Sequence, residues 1–262
     1  MWLLLAVTVV VVVVDLMLPR IPQPLSYHNF ANQHSFLGIP NFSDAVVSNI
    51  PFAIFGAWGL VFLLRLKPEQ ISEHFLDRRE RWPYVVLFIG VFLTAFGSMY
   101  YHLAPGNERL LWDRLPMTIA FMSVVAAMIA ERISLRAGLW LLPVLVLVGM
   151  GSALQWYMSE LRGAGDLRFY GAVQAYAVLF LVSIVLLFPS RYTRGSDLLI
   201  AAGFYVLAKV LELLDHQIFS LGQIVSGHSL KHVAAALAGY WILRMLQRRR
   251  PLPASSSVPS VA

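Results

Sequence analysis

Residues 137–159 have the sequence AGLWLLPVLVLVGMGSALQWYMS, which contains no Asp, Glu, Lys or Arg. A helix that crosses the hydrocarbon core of a bilayer needs about 20 mainly apolar residues. The whole chain has the same character, because 58% of its 262 residues are hydrophobic and 13% are charged, whereas about a quarter of a soluble domain is charged. The sequence therefore predicts an integral membrane protein.

Further apolar segments recur along the chain, as in a polytopic helix bundle. Three more segments of spanning length lack charged residues, and a shorter one is expected to begin before its apolar part, near Asp113. Two later segments are apolar but contain charged residues or His. The expected spans are 45–64, 82–102, 115–130, 137–159, 169–190, 198–214 and 227–246. They predict an all-α transmembrane fold with a seven-helix domain over residues 19–247.

The two ends of the chain lie outside this domain. Residues 1–18, MWLLLAVTVVVVVVDLML, form an extra N-terminal apolar helix. They lack a basic start and no A-x-A-like cleavage site follows them, so an uncleaved anchor is favoured over a signal peptide; seven helices remain if the segment is removed. Residues 248–262 are rich in Pro and Ser and predict a disordered tail.

Basic residues are unevenly distributed between the two sides of the predicted bundle. Because cytoplasmic loops carry the excess of Lys and Arg, both termini are expected in the cytoplasm and the other side at an external, periplasmic or lumenal face. Arg20 alone opposes this orientation. The net charge of +6 has the same origin, so no nucleic-acid partner is inferred. The cytoplasmic group is Arg65, Lys67, Arg78, Arg79, Arg81, Arg132, Arg136, Arg191, Arg194, Arg244, Arg248, Arg249 and Arg250, and the external group is Arg20, Arg109, Arg114, Arg162 and Arg168.

Polar residues from three separate segments are expected at the same depth on the external side. Ser98 and His102 are four residues apart and share a helix face near the outer end of one helix. Asp113 lies at the outer start of the next helix, and His228 and His232 lie at the outer start of the last one. The chain has no Cys, so any metal site must use His, Asp or Glu.

The pair His228 and His232 is the strongest indication of metal chemistry. Two imidazoles one helical turn apart can bind one ion, as in His-Glu-x-x-His enzymes, although no Glu lies between them here. A third imidazole from His102 would complete three nitrogen ligands and leave a position for water, as in catalytic zinc sites. Neutral nitrogen ligands favour zinc over calcium or magnesium. Asp113 is the carboxylate available as a general base.

Each of these residues also has a simpler interpretation. A His-x-x-x-His pair in a soluble helix is often accidental, although ionisable groups inside membranes usually mark a function. Ser98 alone is typical of helix packing, and Asp113 alone is typical of a helix N-cap. Lys209 and Glu212 are expected to pair within their helix, and His216 is a reserve metal ligand. The other His residues are expected outside the site: His28 and His34 in an external loop, and His74 on the cytoplasmic side.

At these positions the sequence resembles the alkaline ceramidases. They belong to a superfamily of seven-helix membrane proteins that also includes the adiponectin and progestin-type receptors and the hemolysin-III proteins. The family pattern is Ser-x-x-x-His at the end of one helix, an Asp eleven residues on, and His-x-x-x-His in the last helix. Ser98, His102, Asp113, His228 and His232 have this spacing, and SMYYHL, WDRLPM and GHSLKH resemble the local context. The likeness covers residues 27 to 246.

The resemblance implies a metal-dependent hydrolase that acts on linear amide C–N bonds. His102, His228 and His232 would hold zinc, and Asp113 would accept a proton from the attacking water. Ser98 would hydrogen-bond the developing oxyanion or orient the water. The expected substrate is ceramide or a related lipid amide, which would enter from the membrane and yield a fatty acid and a long-chain amine. No protein partner is predicted.

Calcium is described for some members of that family, at an acidic and Asn-rich stretch before the first helix of the domain. The corresponding stretch here offers Asn29, Asn32, Asn41 and Asp44, with a single carboxylate. Calcium takes about six to eight oxygen ligands, usually with several carboxylates, so calcium is not expected here. In the alternative interpretation, the Asn side chains cap helices and close turns.

Two other functions remain open. A receptor-like or metal-binding membrane protein of the same superfamily would share the three His residues without hydrolysing a lipid. A metal transporter would need polar groups along a complete pathway, and the cytoplasmic halves of the predicted helices carry almost none. Turnover of a lipid amide would separate the enzyme from the receptor-like protein.

Overall fold

The computed structural model describes residues 2–253, apart from the side chain of Leu3. Within that range the chain is helical and forms no β-strand, which confirms the all-α class. The α-helices are α1 (Trp2–Met17), α2 (Phe42–Ala45), α3 (Ile50–Arg65), α4 (Pro68–His74), α5 (Arg81–Leu103), α6 (Asn107–Arg132), α7 (Leu135–Leu161), α8 (Arg168–Leu187), α9 (Asp197–Leu213), α10 (Asp215–Ser220) and α11 (Gly227–Arg248).

Several helices have the length and composition of membrane spans. The segments predicted at 198–214 and 227–246 are also helical, as α9 and α11, but α9 has 17 residues and α11 carries Lys, Arg and His along its length. The number of seven spans therefore stays a prediction. Five segments are long enough and apolar enough to cross a membrane: Phe42–Arg65, Arg78–Leu103, Asn107–Arg132, Leu135–Leu161 and Arg168–Leu187.

Six helices form a closed ring around a central cavity. Around the ring, α3 contacts α5, α5 contacts α6, α6 contacts α8, α8 contacts α9, α9 contacts α11, and α11 returns to α3. Outside the ring, α7 packs against α6, and α1 packs against α8. Most apolar side chains of α1 are exposed, which suits a helix at the lipid-facing edge of the bundle.

A glycine allows α5 to approach α6 closely beside the predicted catalytic residues. A Cβ atom on Gly97 would lie 2.1 Å from the carbonyl oxygen of Trp112, and one on Gly90 would lie 2.7 Å from the α6 backbone. Small residues permit such close contacts between membrane helices. The contact at Gly97 brings Ser98 on α5 next to Asp113 on α6.

The start of α6 differs from the sequence prediction. The helix begins at Asn107, six residues before Asp113. Its first turn is polar, with Glu108 and Arg109, so a hydropathy pattern does not reveal it. Asp113 therefore lies inside the helix, and its interpretation as an N-cap is wrong.

The C-terminal end of α11 is anchored at the opposite end of the ring from the predicted metal ligands. Arg249 is 1% exposed, its Nη1 atom donates a hydrogen bond to Glu131 at 2.5 Å, and its guanidinium lies 4.0 Å from the centre of the Tyr192 ring. This buried ion pair holds residues 248–253 against the protein, so that part of the predicted disordered tail is ordered. The prediction for residues 254–262 lies outside the described residues.

Candidate metal centre and cavity

Three imidazoles meet at one end of the helix ring, which is called the site end below. His102 comes from the last turn of α5, and His228 and His232 come from the first two turns of α11. All three side chains are buried, and one nitrogen of each lies within 4.8 Å of the others. Two segments that are far apart in the sequence thus contribute to one group of potential metal ligands.

The spacing of the imidazole nitrogens fits a tetrahedral metal ion. The Nε2 atoms of His102 and His228 lie 3.2 Å apart. Two nitrogens that each bind one zinc ion at about 2.0–2.1 Å in a tetrahedron are separated by about 3.3 Å. The rings of His102 and His232 meet edge to face with 5.1 Å between their centres. The spacing of this pair fits a tetrahedral zinc ion, and the third imidazole has a nitrogen within 4.8 Å of the other two.

A serine holds the third imidazole in a defined orientation. Ser48 Oγ lies 2.7 Å from Nδ1 of His232 and donates a hydrogen bond to the carbonyl oxygen of Asp44 at 3.2 Å. A hydroxyl has one proton, so when Ser48 donates it to Asp44, Ser48 accepts from His232 and Nδ1 carries the proton. Nε2 of His232 then has a free lone pair for a metal. Hydrogen bonds of this kind orient metal-binding imidazoles.

The first turn of α11 is fixed by two carboxylates. Ser226 caps the helix by accepting a hydrogen bond from the Ser229 backbone at 3.0 Å, and both Ser hydroxyls donate to Asp44 Oδ1. Asp215 accepts a hydrogen bond from the backbone nitrogen of His228 at 2.8 Å. The free N–H groups at a helix start need such acceptors. These bonds fix the turn that carries the first imidazole of α11.

The segment between α1 and α2 covers the imidazoles. Phe30 is buried, and its ring centre lies 4.5 Å from that of His102 and 4.4 Å from that of His228. The side chain of Asn41 donates a hydrogen bond to the carbonyl oxygen of His102 at 2.9 Å and holds the segment to the end of α5. This cover limits contact between the imidazoles and bulk water on that face.

Ser98 and Asp113 lie beside His232 in the wall of the central cavity. Ser98 is 1% exposed, and its hydroxyl meets the Asp113 carboxylate across the contact between α5 and α6. The two groups that the sequence analysis expected to act together therefore lie side by side in the cavity wall.

The cavity extends from the imidazoles into the middle of the ring. Its volume is about 410 Å³. Away from the site end its wall is apolar and includes Leu87, Val124, Leu181 and Ile242. The rise along α11 from His232 to Ile242 is about 15 Å. This length is about the thickness of one leaflet of the hydrocarbon core.

Charged residues meet at the polar end of the cavity. Glu212 accepts hydrogen bonds from Lys209 at 2.8 Å, Lys231 at 2.6 Å and the hydroxyl of Tyr27 at 3.1 Å. The predicted pair Lys209 and Glu212 is confirmed, and Lys231 is an additional partner. Burial and the neighbouring Glu212 carboxylate raise the pKa of the Tyr27 phenol well above its ordinary value, so the phenol stays protonated.

The remaining His residues lie away from the three imidazoles, as the sequence analysis expected for most of them. His216, the reserve ligand, is exposed, and its Nε2 atom contacts the backbone carbonyl of Asn29 and not the three imidazoles. The partners are Tyr101 and Asn107 for His28, Phe219 for His34, Asn29 for His216, and Phe62 and Arg250 for His74.

The oxygen ligands considered for calcium have separate surroundings. Asn32 accepts a hydrogen bond from the His34 backbone at 3.1 Å and so closes a turn, as the alternative interpretation expected. The amide nitrogen of Asn41 donates to the carbonyl oxygen of His102, and Asp44 accepts from the hydroxyls of Ser226 and Ser229. Asn29 is exposed.

Several residues around the imidazoles are absent from the sequence prediction. Ser48 and Phe30 contact the imidazoles, and Asp215 binds the α11 backbone. Ser48 is the single hydroxyl residue in the predicted span 45–64, which is a weak signal. Nothing in the local sequence distinguishes Phe30 from other loop aromatics.

The site thus combines three imidazoles, one carboxylate and one hydroxyl at the end of an apolar cavity. Ser98, His102, Asp113, His228 and His232 come from three helices and meet there as their sequence spacing predicts. No family model matches the sequence, and no curated protein matches it.

Proposed function

We propose that this protein is a zinc-dependent amidase that hydrolyses the N-acyl amide bond of ceramide or a related lipid within the membrane. One observation carries the proposal: His232, Asp113 and Ser98 line the polar end of a deep apolar cavity, with His102 and His228 next to them. Such a site suits a substrate with a polar reacting group and a long apolar chain. The resemblance to the alkaline ceramidases supports the same reaction.

The three imidazoles are the proposed metal ligands. The 3.2 Å between Nε2 of His102 and Nε2 of His228 supports this proposal, as does the bond from Ser48 to Nδ1 of His232, which leaves Nε2 of that ring for a metal. Bound zinc would lower the pKa of a water ligand to about 7 and polarise a carbonyl oxygen.

Asp113 is the proposed general base. Glu212, the other carboxylate at the polar end, is engaged by Lys209 and Lys231, whereas Asp113 has no ion pair within 4.0 Å in the described chain. Asp113 would accept a proton from water as the water attacks the amide carbon, and pass it to the nitrogen as the C–N bond breaks. Ser98 would donate a hydrogen bond to the carbonyl oxygen as negative charge develops there.

The apolar part of the cavity is the proposed site for an acyl chain. Its depth of about 15 Å along α11 matches one leaflet, so a chain that leaves the bilayer core stays in an apolar environment. The asymmetry of Lys and Arg supports an orientation with both termini in the cytoplasm and the site end at the external face.

The direct test is turnover. Purified protein is incubated with ceramides and other N-acyl lipids, with and without a chelator, and the products are measured by mass spectrometry. We expect release of fatty acid and amine, loss of the activity with the chelator, and recovery on addition of zinc. A protein that holds zinc and hydrolyses no N-acyl lipid would instead support a receptor-like or metal-binding protein of the same superfamily.

A further inference from the structure

Arg114 is a buried cation in the cavity wall, next to the proposed general base. It is 5% exposed and lines the cavity together with Asp113 and Tyr27. Its Nη2 atom donates a hydrogen bond to the side chain of Gln23 at 2.6 Å. Its guanidinium carbon lies 3.9 Å from the centre of the Trp156 ring, so an aromatic face and one amide support the charge.

Arg114 forms no ion pair with the residues that the structure describes. No carboxylate oxygen lies within 4.0 Å of its nitrogens in the part of the chain that the structure describes, and its Nη1 atom makes no hydrogen bond there. Two other buried cations differ in this respect, because Arg249 pairs with Glu131 and Lys231 pairs with Glu212. A buried guanidinium that forms no close ion pair is costly, and the aromatic contacts and the nearby charge of Asp113 offset only part of that cost.

Arg114 lines the same end of the cavity as the proposed reacting groups. Asp113 and Arg114 are consecutive on α6, so they lie at the same depth on different faces of the helix. The apolar cavity runs away from both of them toward Ile242. An amide placed at Asp113 with its acyl chain in the apolar part would therefore have its amine portion at the polar end, where Arg114 and Tyr27 lie.

We propose that Arg114 binds a carboxylate on the amine portion of the substrate, which makes the preferred substrates N-acyl amino acids rather than neutral N-acyl lipids. This inference rests on the proposed amidase function. Hydrolysis adds water across the amide: the acyl carbon gains the hydroxyl group, the nitrogen gains a proton, and the C–N bond breaks. The products are a fatty acid and a free amino acid, whose carboxylate stays paired with the guanidinium.

The test compares an N-acylglycine with the corresponding N-acylglycinamide, which has the same chain and a neutral end. Hydrogen bonds to charged groups correspond to about a 10- to 100-fold change in affinity. We expect the wild-type protein to prefer N-acylglycine by this factor in kcat/KM. We expect Arg114→Gln to lose the preference and Arg114→Lys to keep part of it.

Arg109→Gln is the matched control. Arg109 lies on the same helix outside the cavity lining, with its guanidinium over Tyr100, and its replacement should leave the preference unchanged. Equal kcat/KM for the two lipids in the wild-type protein would overturn the inference and needs no folded variant. If Arg109→Gln lost the preference for N-acylglycine as fully as Arg114→Gln, the inference would also be overturned.

Equilibrium binding of the two lipids to protein that a chelator has freed of metal separates this inference from the amidase proposal. Arg114-dependent binding of N-acylglycine over the amide, without hydrolysis of any lipid, would support the carboxylate site and remove the amidase. Hydrolysis of neutral and acidic lipids at equal rates would support the amidase proposal and contradict the carboxylate site. A fatty acid that binds better than the fatty alcohol, with no preference between the two N-acyl lipids, would assign Arg114 to the product and overturn the substrate assignment.

Discussion

The hydroxyl of Ser48 lies 2.7 Å from Nδ1 of His232, although 184 residues separate them in the sequence. The same hydroxyl lies 3.2 Å from the carbonyl oxygen of Asp44, and with its proton on that oxygen it acts as an acceptor toward the imidazole. This bond fixes one edge of the His232 ring. It links the turn before α3 to the three imidazoles.

Ser48→Ala should weaken zinc binding without removing a ligand. Loss of a hydrogen bond that orients a metal-binding imidazole lowers affinity by about 10- to 100-fold. Competition with a zinc chelator of known affinity measures the effect. Ser72→Ala is the control, because Ser72 is exposed on α4 and bonds only to its own helix. Unchanged zinc affinity in Ser48→Ala would contradict the orienting role.

Zinc content should follow the three imidazoles. The purified protein should hold about one zinc per chain, and His228→Ala or His232→Ala should remove most of it, because two remaining ligands are too few for tight binding. His216→Ala should retain the metal, since His216 lies outside the group. Elemental analysis of each variant is the measurement. Full occupancy after replacement of both α11 imidazoles would remove the metal assignment.

Asp113→Asn should separate catalysis from metal binding. Asn keeps the shape of Asp but cannot accept the proton, and general-base catalysis contributes about 100- to 10,000-fold, so turnover should fall by that factor. Zinc content and the thermal melting temperature should change little. Ser98→Ala should lower turnover less than Asp113→Asn does, because it removes a single hydrogen bond to the carbonyl oxygen of the substrate. A zinc-loaded Asp113→Asn protein with wild-type turnover would exclude Asp113 from the mechanism.

Gly239→Val should shorten the acyl chain that the protein accepts. Gly239 lines the cavity, and a Cβ atom there would lie 3.5 Å from Val91, an ordinary van der Waals contact. A group that fills an apolar pocket changes discrimination by about tenfold or more, so kcat/KM should fall for long chains and remain for short ones. Gly203→Val is the control, because Gly203 lies on α9 in open space outside the cavity lining. Equal loss for all chain lengths would contradict this use of the cavity.

The orientation in the membrane can be measured with reporters. A reporter fused after Arg250 should lie in the cytoplasm, and a tag near Gly106 should be accessible from the external side, because Lys and Arg are concentrated at the other end of the helices. The reverse result would move the site to the cytoplasmic face and would leave its chemistry unchanged.

Local patterns accounted for much of the fold and for the residues proposed to react. Apolar runs locate helices, and a spacing of four residues places Ser98 with His102 and His228 with His232, because both depend only on the geometry of one helix. The sequence analysis missed the polar first turn of α6, because hydropathy locates the apolar part of a helix and not its first residues. The N-cap interpretation of Asp113 failed with it.

By itself the sequence determined the all-α class, the approximate positions of the helices, and the five residues whose spacing predicts a metal and proton-transfer site. Only the tertiary structure decided which groups surround them: Ser48 on His232, Phe30 over the imidazoles, and the aromatic and amide contacts of Arg114. These contacts depend on how closely helices approach and how each is rotated about its axis. Packing between distant segments sets both quantities, and no local period in the sequence encodes them.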